Sequence, residues 1–497
     1  MEFYRRTMSR ETTESSWAAA IAEIGGLEDD YDSGLSDDDD GVHENESDLK
    51  STTRGRKQSL NSMPSLSNKK SIYSTPSTAR SNMVVITERS SGRETIELFT
   101  SMEEDYDASF HPPASVASRN QLENESDAFS VQSPRILRYE QVPKKEEMFE
   151  DSKLKKICVL GLGSFGRVLL CKDQKNHYYA VKRIPATKLT VTKHVERTRI
   201  EREALVQLQG HAHIVNLFFA YRTHSHLILG FEYCPGGELF HHLRKRRKLG
   251  AATVIFYAAE LGLAFGHCHE HGVVYRDCKP ENILLNENGH VKLADFGLAK
   301  LGVKHPFHGA HSICGTLEYI APDILANREH GYGYAVDYWG LGILSYELLT
   351  GFPPFRNKDK AKLFKAIKSQ PLPINNKKIP QPCAQFLHDL LERNPHHRIH
   401  SLATLRSHSV FSFYGFSLDT ISTSTQPPIR PCDPHSFCCF LNTPTGIEKA
   451  HWINFDLQFT TLSVHDRSDE LKRPREFLPS DSIAAKDWNF LRSSPQP

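Results

Sequence analysis

With 497 residues the chain can hold more than one domain, yet its apolar fraction of 39% is below the globular average, so part of it is expected to stay unpacked. A net charge of +1 gives no global pull toward nucleic acid or a membrane surface, and no apolar run reads as long enough to span a bilayer. The ten cysteines have no paired C-x-x-C spacing, which reads as free thiols in a reducing, intracellular setting, in the cytoplasm or the nucleus.

Residues 1–148 are rich in Ser, Thr, Asn, Asp and Glu and lack sustained apolar periodicity. They begin with Met1-Glu2-Phe3-Tyr4-Arg5-Arg6, which is not a signal peptide start, and they include an acidic stretch around Asp37-Asp38-Asp39-Asp40. Such a segment buries too little surface to offset its ordering entropy, so a disordered acidic, Ser-rich arm is expected over 1–148. From Leu154 to Phe411 the texture changes. Ile157–Leu160, Arg167–Cys171 and Tyr178–Ile184 read as strands; Val254–His271 and Ala335–Leu349 read as long helices, the second very apolar. Strands first and helices later imply an α+β domain of two lobes with a cleft between them. Residues 412–497 are again loop-like.

Two clusters carry chemistry. Between the first two strands, Gly161-Leu162-Gly163-Ser164-Phe165-Gly166 is a loop whose glycines let backbone N–H groups approach phosphates, with Phe165 able to close over them. A strand follows the loop; a dinucleotide-binding fold would place a helix there. Further on, Tyr275-Arg276-Asp277-Cys278-Lys279-Pro280-Glu281-Asn282 precedes Asp295-Phe296-Gly297. Asp277 can accept the proton of an incoming hydroxyl, while Asn282 and Asp295 offer hard oxygen ligands to magnesium. His267-Cys268-His269-Glu270-His271 has metal-ligand residue types, but i,i+2 neighbours do not share a helix face, and polar helix termination is the better reading. Arg244-Lys245-Arg246-Arg247-Lys248 reads as an exposed basic loop in preference to a nuclear signal.

These motifs in register resemble a eukaryotic protein kinase of the AGC group, and Tyr275 before Arg276-Asp277 is typical of that group. The resemblance implies a small β-rich lobe, a large helical lobe over 154–411 and an AGC-type C-terminal extension over 412–497. It also implies ATP and Mg2+. Gly161, Gly163, Ser164, Phe165, Gly166, Val168 and Ala180 would surround the nucleotide, with Glu232 and Cys234 at the hinge and Glu238 at the ribose. Phe231 would control the back pocket. Lys182 would pair with the α/β-phosphates and with Glu201, Glu203 being the alternative. Lys279 marks a serine/threonine enzyme and Thr316 would brace it. Glu238 and Glu281 would select Arg upstream of the phosphoacceptor, as carboxylates suit bidentate Arg.

Ser312 occupies the position that an upstream activating kinase phosphorylates in this group, where its phosphate could dock on Arg276. Asp323, where most kinases carry Glu, is expected to keep its pair with Arg398. With the long activation loop it is similar to the N-terminal kinase domains of mitogen- and stress-activated and ribosomal-protein kinases. In the tail, Pro427–Pro431 and Phe455 or Phe459 resemble landmarks of the extension. Trp488-Asn489-Phe490-Leu491 resembles its terminal motif but has Leu491 where the phosphorylated residue belongs. Cys278 replaces the usual Leu or Ile, as a packing variant or a redox-sensitive thiol. The expectation is a monomeric serine/threonine kinase acting on Arg-rich protein substrates in intracellular signalling; a catalytically weak scaffold or pseudokinase-like binding protein is the competing reading. Arg54-Gly55-Arg56-Lys57-Gln58-Ser59 offers one such substrate sequence within the chain itself.

Overall fold

The computed structural model describes residues 84–90, 92–99, 153–163, 166–189, 192–223, 225–326, 331–375, 378–431, 440–443, 446–449, 454–464, 488 and 490–491. The chain divides into two units, Met1–Asn82 and Met83–Pro497; the first lies outside the described residues, and with it the acidic stretch and Ser59.

The first described elements correct an expectation. Within the arm predicted to lack structure, β1 (Val84–Ser90) and β2 (Arg93–Phe99) form an antiparallel hairpin, Val84 opposite Phe99 and Ser90 opposite Arg93. An isolated hairpin is marginal in water. This one is completed by a third strand from the catalytic domain, and Ile96 is fully buried.

Next come β3 (Lys155–Leu162), β4 (Arg167–Lys172), β5 (Tyr178–Pro185), helix α1 (Thr192–Gln207), β6 (Leu217–Arg222) and β7 (His226–Glu232). The five strands form one antiparallel sheet in the order β6-β7-β5-β4-β3. One face packs Val159, Leu169, Val181, Phe219 and Ile228 into a core. In α1, Arg197, Thr198, Glu201, Ala204 and Leu205 are buried and recur at three- and four-residue spacing. A carboxylate and a guanidinium therefore sit on the buried face, which obliges each to find a partner.

The large lobe is built on α2 (Leu239–Arg246), α3 (Ala251–Glu270), α4 (Ala335–Thr350), α5 (Lys360–Ser369) and α6 (Gln381–Leu390). Helix α3 is buried on nearly every face, and α4 at every residue from Ala335 to Leu349. At about 1.5–3 kcal/mol per large apolar side chain, these two helices supply much of the lobe's driving force. By length and composition α3 could cross a membrane, contrary to the sequence reading; its burial in the lobe accounts for its apolarity. The basic run ends α2 and continues past it, exposed, where cations favour a helix C-terminus.

Short strands line the cleft: β8 (Gly237–Glu238), β9 (Val273–Val274), β10 (Ile283–Leu285), β11 (Val291–Leu293), β12 (Lys300–Leu301) and β13 (Ile313–Thr316). β8 pairs with β10, β10 with β11, and β9 with β12. β13 pairs with β2 of the hairpin. In the tail, β14 (Phe440–Thr443) and β15 (Gly446–Lys449) pair with each other, and β16 (Phe490–Leu491) adds to the edge of the small-lobe sheet beside β6.

Candidate active site

On the small-lobe side, the turn between β3 and β4 closes with Gly163 N donating to Gly166 O at 2.8 Å. A Cβ on Gly166 would lie 2.0 Å from the Arg183 carbonyl, so only glycine lets these two backbones approach. Ser164 and Phe165 lie outside the described residues. Gly161 and Gly163 stand at the end of β3, with Val168 opposite Gly161. Val168 and Ala180 pack with Tyr233 and Phe455 around Cys158, Leu160 and Leu170, an apolar surface suited to a planar base. Phe455 stacks on Tyr233 with ring centroids 6.0 Å apart, while Phe459 packs on the sheet core. Phe231, on β7, is buried opposite Ala180.

Lys182 reaches both oxygens of Glu201, at 2.9 and 2.7 Å. Burial pushes the Glu201 carboxyl up from its usual range, against the pull of Lys182. Glu203 pairs instead with Arg199, which resolves the two alternatives for the partner of Lys182. At the hinge, the Glu232 carboxylate is engaged by Lys292 at 2.8 Å and Asn216 at 2.7 Å, so its side chain braces the lobes and does not face a nucleotide. Cys234 is buried and its carbonyl accepts from Gly237 N.

The catalytic loop hangs on Asp337 of α4. Its carboxylate accepts from Tyr275 N at 3.0 Å and Arg276 N at 2.8 Å, and pairs with His269 Nε2 at 2.7 Å. This holds Arg276 at φ +68°, a left-handed conformation that costs free energy in a non-glycine residue. It also gives His269 a structural partner; among the described residues no cluster of three or more His, Cys, Asp or Glu could hold a metal. Downstream, Asp277 Oδ1 accepts from Thr316 Oγ1 at 2.6 Å; its Oδ2 meets Lys279 Nζ at 2.7 Å and Asn282 Nδ2 at 2.8 Å. Lys279 also donates to Thr316 Oγ1 at 3.1 Å. Cys278 is buried against Gly340, and burial raises its thiol well above the usual range, which favours the packing role over a reactive thiol.

The donor set for a cation fits magnesium. Asn282 uses its amide N–H on Asp277, leaving the amide oxygen available. Burial opposes ionisation of Asp295, but Lys182 and Lys279 hold its carboxyl below the usual range, as an anionic ligand requires. Two protein oxygens are the sparse ligation magnesium takes when phosphates and water complete its shell.

Arg276 links this loop to the activation segment. Its Nη1 donates to Ser312 Oγ at 2.8 Å and to the Tyr332 hydroxyl at 2.9 Å. The Asp323–Arg398 pair forms at 2.8 Å with both residues buried, so the shorter side chain still reaches.

The acidic pocket that the structure forms is only partly the one expected to select arginine. Glu281 meets Arg93 Nε of the hairpin at 3.1 Å. The same guanidinium donates to Glu347 on α4 and to the Tyr319 hydroxyl. Glu347 was missed by sequence reasoning. The signal existed: it and Asp337 are the only charged residues in an otherwise apolar helix, and a buried carboxylate needs a partner. Glu238 lies beside Glu281 and Asp456. Burial, then these two carboxylates, push its own carboxyl up to about 7, and among the described residues it forms no ion pair.

A two-lobed α+β domain with a buried Lys–Glu pair in its small lobe, an oriented Asp beside Lys, and two oxygen donors to a cation defines a phosphoryl-transfer domain. A family model described as the protein kinase domain matches residues 154–411, and the chain belongs to that family. It is 38% identical over 270 residues to the RAC family serine/threonine-protein kinase homolog of Dictyostelium discoideum (54% of this chain, 60% of the relative). To ribosomal protein S6 kinase alpha-3 of Homo sapiens it is 37% identical over 298 residues (58% and 39%), and to serine/threonine-protein kinase Sgk2 of Homo sapiens 37% over 277 residues (55% and 74%). These relatives are AGC-group serine/threonine kinases, and the chain falls in that group. It spans less than two thirds of the length of the first two.

Proposed function

We propose that this chain transfers the γ-phosphoryl group of ATP to Ser or Thr in protein substrates that carry Arg upstream of the acceptor, in a signalling setting. Asp277 takes the acceptor hydroxyl's proton, its carboxylate aimed by Thr316 and Asn282. Lys279 neutralises charge developing on the transferred group, and Lys182, oriented by Glu201, pairs with the nucleotide phosphates. Asn282 and Asp295 would hold magnesium, which supplies charge neutralisation on the phosphates when bound. The observation that carries the substrate reading is the pocket of Glu281, Glu347 and Tyr319, which takes a guanidinium two residues before a hydroxyl beside Lys279.

Ser312 is read as the site of an activating phosphate added by an upstream kinase, because its hydroxyl already accepts from Arg276 next to Asp277. Full activity in Ser312→Ala would sink that part.

The test is phosphate transfer from labelled ATP to an Arg-containing peptide, with Asp295→Ala as control. Transfer should be lost in the variant. Replacing the Arg two positions before the acceptor by Ala should raise KM about tenfold or more, the cost of leaving buried carboxylates unpaired. No transfer by the wild type would favour a scaffold.

A further inference from the structure

The hairpin lies against the acidic pocket and the catalytic loop. We propose that Thr95 is a phosphoacceptor of this chain's own active site, delivered in cis by β2; the inference rests on the kinase reading above. Strand β2 adds antiparallel to β13, with Thr95 opposite Thr316, Ile96 opposite Gly315, Glu97 opposite Cys314 and Leu98 opposite Ile313. Strand addition of this kind gives affinity through the backbone and specificity through alternate side chains.

The side chains follow that logic. Arg93, Thr95 and Glu97 alternate along one face. Arg93 fills the Glu281–Glu347–Tyr319 pocket. The Thr95 hydroxyl lies 3.2 Å from Lys279 Nζ and 3.1 Å from Thr316 Oγ1, the two groups that themselves bind the Asp277 carboxylate. Glu97 pairs with Arg197 of α1 at 2.5 Å. Glu94 and Ile96 point the other way: Glu94 pairs with Lys360 at 2.7 Å, and Ile96 is fully buried. An inert plug would need only Arg93 and the backbone. Here a hydroxyl stands where an acceptor must stand, hydrogen-bonded to the group that would steady the transferred phosphoryl.

In the step, Thr95 Oγ1 forms a bond to the γ-phosphorus of ATP as the bond from that phosphorus to the ADP oxygen breaks. ADP leaves with the electron pair, and the Thr95 proton passes to Asp277. The product carries about two negative charges beside Asp277 and Glu97, which repel it. One turnover therefore weakens the hairpin's hold on the groove and opens it to other substrates.

The experiment uses the full chain with labelled ATP and magnesium, phosphosite mapping by mass spectrometry, and an Arg-containing peptide run in parallel. Label should appear on Thr95 with a rate constant unchanged by dilution, vanish in Thr95→Val and return in Thr95→Ser, which separates loss of the acceptor from loss of fold. Arg93→Ala should slow labelling about tenfold or more. Without nucleotide, the same variant should bind a fluorescent Arg-containing peptide several-fold more tightly, because the pocket is vacated. Peptide phosphorylation with Thr95 unmodified overturns the proposal and leaves the kinase reading intact. A rate constant that falls with dilution overturns transfer in cis, and unchanged peptide affinity in Arg93→Ala overturns the occupancy of the groove. If neither peptide nor Thr95 is labelled, both readings fall.

Discussion

Asp277 is held at both carboxylate oxygens, by Thr316 on one side and by Lys279 and Asn282 on the other. That fixes the proton acceptor before a substrate arrives, which is where electrostatic catalysis gains most. The proposed arginine pocket is fixed in a different way, by carboxylates buried together. Glu347→Ala removes one of the two that hold a guanidinium; KM for an Arg-containing peptide should rise about tenfold or more with kcat little changed, read from steady-state kinetics. The same pocket should titrate. Burial raises the Glu281 carboxyl to about 7 against Arg93 and Lys279, and burial with Glu281 and Asp456 raises Glu238 to about 7. Only the ionised form pairs with Arg, so binding releases protons below that pH, and KM should fall as pH rises from about 6 to 8. A flat profile would mean that neither carboxylate contacts the peptide's arginine. The loop residues were legible because they are contiguous and spaced by motif. Glu347 was not, because it meets Glu281 only through the tertiary packing of α4.

At the scale of elements, the tail shows how a weak sequence match becomes a defined contact. Leu491 offers no hydroxyl to phosphorylate, yet Phe490 and Leu491 pair through their backbones with Ala220 and Phe219 of β6. Trp488 is buried, its carbonyl accepts from Arg202 of α1 at 3.1 Å, and the same guanidinium lies over its ring. The tail therefore touches both the sheet and the helix that carries Glu201, with no phosphate required. Trp488→Ala should lower stability by about 3 kcal/mol, the usual cost of emptying a buried Trp site, and should reduce phosphate transfer by loosening α1. Thermal unfolding and a peptide assay at a temperature where the variant remains folded check the two effects separately. The strands and helices named from the sequence, such as Arg167–Cys171 and Ala335–Leu349, were legible to within a few residues because their apolar patterns are strong. The tail was not, since a two-residue edge strand leaves no period to read.

Across the molecule, the hairpin, the activation segment and α1 meet at one cluster of charge. Glu97 brings a carboxylate to Arg197 at 2.5 Å, and Arg276 holds Ser312 Oγ at 2.8 Å. Arg276 stays charged in its buried site, with the Glu97 carboxylate among the groups that favour that form. The sequence carried a signal for the hairpin: β-branched residues at Val84-Val85-Ile86-Thr87 and Thr95-Ile96 flank Ser90-Ser91-Gly92, a turn pattern. It was overridden by the polar composition of the surrounding arm, because what stabilises the hairpin is a strand more than two hundred residues away in sequence. The same geometry makes the hairpin sensitive to the proposed phosphate on Ser312. That group would add about two negative charges between Arg276 and the residues opposite β2, competing with Glu97 for Arg197 and repelling it. Phosphoserine installed at 312 should therefore speed amide hydrogen exchange across residues 93–99 and raise affinity for an Arg-containing peptide several-fold. Glu97→Gln should reproduce part of the faster exchange without the phosphate, since it weakens the same ion pair. If exchange in 93–99 is unchanged by phosphate, Arg197 and Arg276 accommodate both anions, and the activation segment and the hairpin act independently.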